Sequence, residues 1–314
     1  MKFKEWEDQL DDGTILHCYQ WAPDNDDVKA VVQIVHGCAE YALRYDDFAK
    51  FLVSKNYAVV AEDHRGHGKT AQKQDDLGFF KEKHGWEAII NDLNHVTKYI
   101  KNTFSKKPIF MFGASMGSFM TRNYGIVYGK NISGMILCGT SNYNELLLIY
   151  LICLAKLRQM VKGPKATDHF IHNLTFKKLN KRFQNKNSFG TEWLSTNKEI
   201  QIRYKNDKLA GHVLSTSGFK DLFSGLLFIA KKKNVQKTPD HLPILVIAGS
   251  DDPVGKFGKA VKQTVNLYET CKKNVESKIY PNARHEILNE TIKDQVYNDI
   301  LNFIEKNLKK DSLN

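Results

Sequence analysis

Apolar residues along the chain fall into two alternating rhythms. Short runs that are apolar on both faces recur at Ala30–Val35, Tyr57–Ala61, Pro108–Phe112, Ser133–Cys138 and Pro243–Ala248. Such runs, rich in Val and Ile and lacking a polar face, are what a buried parallel sheet requires. Thr14–Trp21 alternates instead and reads as a half-buried strand, and Ser277–Tyr280 is a last strand-like run. Between the runs, apolar residues return at helix spacing. Arg44–Lys55 aligns Phe48, Phe51 and Leu52; Trp86–Phe104 aligns Ile89, Ile90, Leu93, Val96, Tyr99 and Ile100; Ile292–Leu308 aligns Val296, Ile300, Leu301 and Ile304. The predicted class is therefore α/β: a mostly parallel central sheet with helices on both faces.

The alternation lapses between Asn142 and Thr238, where helical pieces follow one another with no convincing buried strand. A chain of 314 residues exceeds the ~250–300 at which one core stops growing. The expected organisation is thus a core, 1–141 with 239–314, and a helical cap inserted at 142–238. Charge follows the same division. Of 46 Lys/Arg and 35 Asp/Glu, the insertion holds eighteen and six, a net of +12, which leaves the remainder at −1. The cap also contains the longest apolar run, Leu146–Ala155 (LLLIYLICLA), half the ~20 residues that a membrane span needs. The first residues, MKFKEWEDQLDDG, have acids where an export signal would be apolar. Five cysteines (Cys18, Cys38, Cys138, Cys153, Cys271) form no CxxC pair and read as reduced thiols. These features lead us to expect a cytoplasmic protein.

Chemistry concentrates at the strand ends. PIFMF runs into Gly113-Ala114-Ser115-Met116-Gly117 and then a helix-like stretch to Tyr128. G-x-S-x-G at a strand-to-helix junction is the pattern of a nucleophile elbow, whose sharp turn strains the apex serine and demands small neighbours. The hydroxyl then projects above the sheet edge at the positive end of a helix dipole. Of eleven histidines, His285 follows a strand-like run and the turn Pro281–Arg284 and precedes the last helix, so it falls at the carboxyl end of the sheet. An exposed loop histidine is the plainer reading of it. An orienting acid is sought after PILVIAGS, where Asp251 and Asp252 compete, and both read equally as caps of a helix after Pro253. Ser115, Asp252 and His285 stand in the order Ser–Asp–His, each after a strand. Oxyanion stabilisation needs two backbone N–H donors. Met116 supplies one candidate, and Cys38, in the loop His36–Glu40 after Val35, supplies the other. The Cys38 thiol as nucleophile is the weaker reading, because the serine already has a base and an acid.

Several segments together resemble the monoacylglycerol lipase and lysophospholipase branch of the α/β-hydrolases. They are His36-Gly37-Cys38-Ala39-Glu40-Tyr41 with Arg44-Tyr45, Asp63-His64-Arg65-Gly66-His67-Gly68, the elbow, Asp252-Pro253-Val254-Gly255, and Ala283-Arg284-His285-Glu286. The resemblance spans about residues 25 to 310 and implies the α/β-hydrolase fold, serine chemistry, and Asp252 rather than Asp251 as the acid. Ala114 and Ser118 depart from the commoner His and Gly around the elbow, and the insertion matches no motif.

The expected activity is hydrolysis of carboxylic esters of single-acyl-chain lipids, monoacylglycerol or lysophospholipid, through an acyl-enzyme with no metal or organic cofactor. A thioesterase, an aminopeptidase on the same residues, or a non-catalytic binding protein of this fold are the alternatives. His64 and His67, three apart, read better as a structural loop than as metal ligands. Lys231-Lys232-Lys233 lacks the aromatic interleaving of a nucleic-acid module, so no nucleic-acid partner is expected. The basic cap invites peripheral contact with an anionic membrane; a packed cap helix with solvated lysines is the competing account.

Overall fold

The computed structural model describes residues 1–25, 27–186 and 188–311. In chain order the main elements are β1 (Lys2–Gln9), β2 (Ile15–Ala22), β3 (Val31–Val35), α1 (Asp46–Ser54), β4 (Ala58–Glu62), α2 (Gly85–Thr103), β5 (Ile109–Ala114), α3 (Met116–Tyr128) and β6 (Gly134–Cys138). They continue with α4 (Glu145–Lys162), α5 (His169–Thr175), α6 (Lys198–Asn206), α7 (Thr216–Ala230), α8 (Lys232–Val235), β7 (Ile244–Gly249), α9 (Lys259–Thr270), β8 (Val275–Tyr280) and α10 (Lys293–Asp311).

One eight-stranded sheet runs in the order β1-β2-β4-β3-β5-β6-β7-β8. From β4 to β8 neighbouring strands are parallel, and β2 pairs antiparallel with both β1 and β4. Every residue of β3 to β7 is buried, as strands covered on both faces must be. Alternate residues feed two cores. Val31 and Val35 of β3 face a layer containing Ile89 and Leu93 of α2, Phe119 of α3 and Leu222 of α7. Val32 and Ile34 face the other layer, with Phe48 and Leu52 of α1 and Val296, Ile300 and Ile304 of α10.

Strand β1 was not foreseen. Its sequence, KFKEWEDQ, carries no apolar period, because the strand pairs only along β2 and most of its side chains are exposed. The helix expected after Pro253 begins only at Lys259, so neither Asp251 nor Asp252 caps it.

Between β6 and β7 the described residues contribute no strand to the sheet. Helix α7 nevertheless packs as part of a core layer. Its Gly225 lies against the indole of Trp86 on α2, so that a Cβ there would fall 2.0 Å from Cε2. On its other side α7 carries α4, with Leu148, Leu151 and Ala155 buried between them. No helix among the described residues is long and apolar enough to cross a membrane.

Strand order reverses at β3, which lies between β4 and β5. The crevice beyond the carboxyl ends of strands on either side of such a reversal is where open α/β sheets bind ligands.

Candidate active site

Ser115 is the hinge between β5 and α3. Its φ of 52° and ψ of −118° put a non-glycine residue in a strained left-handed region. Neighbours enforce the turn. A Cβ on Gly117 would lie 2.0 Å from the carbonyl oxygen of Val35, and one on Gly113 would lie 2.3 Å from Thr121 Oγ1. The Ser115 amide donates to the Cys138 carbonyl at 2.8 Å, and Ser118, through its amide (2.9 Å) and hydroxyl (2.6 Å), donates to the Ser115 carbonyl. The departure from glycine at 118 thus adds a bond that holds the elbow.

His285 and Asp252 meet across the ends of β8 and β7. Nδ1 of the imidazole lies 3.0 Å from Oδ1 of Asp252, a fully buried carboxylate oxygen that accepts the Val254 amide at 2.8 Å. Asp251 sits on the surface side of the same turn, with its amide bonded to the Ala283 carbonyl. Burial disfavours the imidazolium of His285, but Asp252, with Glu286 and Glu40 behind it, outweighs burial and raises its pKa. Ser115, His285 and Cys38 line one cavity of about 480 Å³. Among the described residues, no protein acceptor takes the amide of Cys38 or of Met116 at the start of α3. The Cys38 thiol is pushed up to about 12 by burial and by Glu40, so it is not a thiolate at neutral pH.

Two features of this rim had no assigned role in the sequence reading. The first is a buried charge cluster. Arg44 forks onto Glu286 (Nη1 to Oε1 2.9 Å, Nη2 to Oε2 2.8 Å) and also pairs with Glu40, whose Oε1 takes the hydroxyl of Tyr45 at 2.7 Å and the Gly37 amide. Burial raises both carboxyls; the fork from Arg44 holds Glu286 below its ordinary value, while Glu40 stays raised. The second is Trp193, whose ring lies 5.0 Å from that of His285. Its signal in the sequence is only that of a tryptophan in an unmatched segment.

The run Asp63–Gly68 folds as a buried loop beside the Cys38 turn. Asp63 accepts from the Ala42 amide, the Lys69 amide and Tyr19 Oη at 2.8–2.9 Å. His64 stacks on His36 with ring centroids 3.7 Å apart, and its amide donates to His36 Nε2 at 2.9 Å. Among the described residues no group of three or more His, Cys, Asp or Glu is placed to hold a metal ion.

Residues of the 142–238 segment roof the cavity, including Phe176, Trp193, Tyr204, His212, Leu214 and Phe219. Tyr204 Oη and the Gly211 amide both donate to the Ala39 carbonyl, at 3.2 and 2.8 Å, which ties this roof to the loop after β3.

A strained serine between a parallel strand and a helix, with a buried His–Asp pair at the adjacent strand ends, defines an α/β-hydrolase. Within that class, the family model described as "Serine aminopeptidase, S33" matches residues 26–292, and the chain belongs to this family. It is 27% identical over 289 residues to a monoacylglycerol lipase of Mycolicibacterium smegmatis, covering 92% of each chain. It is 26% identical to the monoglyceride lipase of Rattus norvegicus, over 77% of this chain and 71% of that one. A solved carboxyl esterase from Bacillus coagulans, in complex with glycerol, superposes with a TM-score of 0.90 at 28% identity, covering 98% of this chain and 99% of that one.

Proposed function

We propose that this protein is a serine carboxylic ester hydrolase that cleaves single-acyl-chain lipid esters, monoacylglycerol or lysophospholipid, through an acyl-enzyme. The observation that carries the reading is Ser115, on its strained elbow, facing the same cavity as His285, whose Nδ1 is 3.0 Å from the buried Asp252. In the first half-reaction His285 Nε2 takes the Ser115 proton as Oγ attacks the acyl carbonyl. The amides of Cys38 and Met116 receive the oxyanion, and Asp252 fixes the tautomer and stabilises the imidazolium. His285 then protonates the departing alcohol. Water, deprotonated by His285, attacks the acyl-serine, and the imidazolium returns that proton to Ser115 Oγ as the C–O bond breaks and the fatty acid leaves.

Three things favour a lipid ester over an N-terminal peptide, which the family's name suggests. Phe176, Trp193, Leu214 and Phe219 offer an acyl chain an apolar wall. Among the described residues the acids lining the cavity are Glu40 and Glu286, and Arg44 engages both, which leaves no lining carboxylate free for a substrate amine. The relatives cited above are named lipases and an esterase.

We read residues 142–238 as a cap and its outer face as a site of contact with an anionic lipid surface. Leu146, Met160 and Val161 of α4 are 76%, 84% and 78% exposed, and Phe170 of α5 is more than half exposed. Lys156 and Lys162 belong to the same stretch of chain, so apolar insertion and attraction to lipid phosphate would act together.

A fluorophosphonate probe should label the wild-type chain and not Ser115→Ala. The same substitution should lower turnover of p-nitrophenyl butyrate at least a thousandfold. Full turnover in Ser115→Ala would refute the assignment, and a wild-type chain that neither labels nor hydrolyses esters would point to a non-catalytic protein. Competing lipid esters and acyl thioesters of graded chain length then define the substrate.

A further inference from the structure

The loop that carries His285 is held from two sides. From the core, Arg44 forks onto Glu286. From the other side, residues 192–196 of the inserted segment run along residues 284–290. The Glu286 amide donates to the Leu194 carbonyl at 2.7 Å and the His285 amide to the Trp193 carbonyl at 3.4 Å, with the Trp193 ring against the imidazole. Arg284 closes this seam. Its Nη1 donates to the carbonyls of Glu192 at 2.6 Å and Ser195 at 3.2 Å, and its guanidinium lies 4.3 Å from the ring centroid of Phe183. Glu290 ties the same two segments from the opposite end. Its Oε1 accepts the amides of Arg284 and Thr196, both at 2.9 Å, and its Oε2 accepts the Thr196 hydroxyl.

We propose that Arg284 is a positioning residue that couples the seating of residues 192–196 to proton transfer by His285. The inference rests on the reading of His285 as the general base. Arg284 is not among the residues lining the cavity, so its effect must pass through the loop rather than through substrate contact. Residues 281–290 lie beyond the last sheet strand and have no ladder to fix them. The Asp251 amide on the Ala283 carbonyl, Tyr297 Oη on the Leu288 carbonyl and the burial of Ile287 anchor the two flanks, and between those anchors residues 284–286 are oriented by these side-chain and seam bonds. Once the seam loosens, the imidazole samples orientations in which Nδ1 leaves Asp252, and fewer encounters find Nε2 aimed at Ser115. Of the acyl wall, Phe176, Leu214 and Phe219 lie outside the seam and only Trp193 belongs to it, so binding of the acyl chain changes little.

The test uses the full chain, with p-nitrophenyl butyrate kinetics across pH 5–9, the rate of fluorophosphonate labelling, and Tm. Arg284→Ala should lower kcat about tenfold with KM within twofold. It should also move the acid limb of the pH profile downward, because the Asp252 attraction that raises the imidazole weakens while burial remains. Arg284→Lys should recover part of the loss, since one ammonium can reach one of the two carbonyls. Glu290→Gln, which weakens the seam without touching the guanidinium, should move kcat and the acid limb in the same direction, and it keeps the test open if Arg284→Ala does not fold. A fall in Tm with kcat and the acid limb unchanged would overturn the proposal by showing a merely structural role, as would a change confined to KM. A wild-type chain inert to the probe and to esters would instead remove the general-base reading, and this coupling with it.

Discussion

At the scale of single residues, the chemistry depends on a balance that burial and charge set in opposite senses for different histidines. His285 is raised because Asp252 outweighs desolvation. In the proposed mechanism His285 acts as a general base and must be unprotonated, so activity should disappear as pH falls through a value above the ordinary 6.5 of an imidazole. A kcat/KM profile with its acid limb above 6.5 is the expected result, and Asp252→Asn should lower kcat by three to four orders of magnitude. His212 behaves in reverse. Burial pushes it down to about 4, and its ring meets that of His67 edge-on at 4.9 Å. The unfolded chain takes up a proton near 6.5 that the folded chain refuses, so this histidine's penalty is absent above pH 6.5 and grows as pH falls. His212→Phe should therefore gain stability relative to wild type by about 1.4 kcal/mol per pH unit between 6.5 and about 4, and no further below that. Urea unfolding at pH 7 and pH 5 measures that difference.

At the scale of elements, periodicity located whatever is buried. Strands β3 to β7 and helices α1, α2 and α10 are legible because each either buries a definite apolar face or is buried throughout. Strand β1 is illegible for the converse reason: it enters the sheet only through its backbone ladder along β2, and its side chains carry no apolar pattern. Within the site, local motifs marked Ser115, His36–Glu40 and the His285 loop, since a strained turn leaves a trace in neighbouring glycines. The fork from Arg44 to Glu286 joins residues 242 apart in the chain, and nothing local announces which acid an arginine will meet. The choice between Asp251 and Asp252 was open to spacing for the same reason, and the structure puts the buried one beside His285. Helix α4 carries its own prediction. Replacing its exposed Leu157 and Met160 by Gln should lower turnover of an emulsified monoacylglycerol several-fold and leave turnover of soluble p-nitrophenyl butyrate within twofold. Equal losses on both substrates would deny α4 a role at the lipid surface.

At the scale of the whole molecule, α7 belongs to the insertion by chain order and to a core layer by packing. Exchanging the proposed cap at the points where sequence patterns change, near 142 and 238, would remove a wall of the hydrophobic interior with it. Such a chimera should come out of the cell insoluble. A transplant joined after Gly163 and before Ser215, where the chain approaches itself through the Thr167–Ser215 bridge, leaves α4 and α7 in place and should yield soluble protein whose selectivity follows the donor. On the proposed reading, the unit to exchange for a change of specificity is shorter than the stretch that interrupts the sheet.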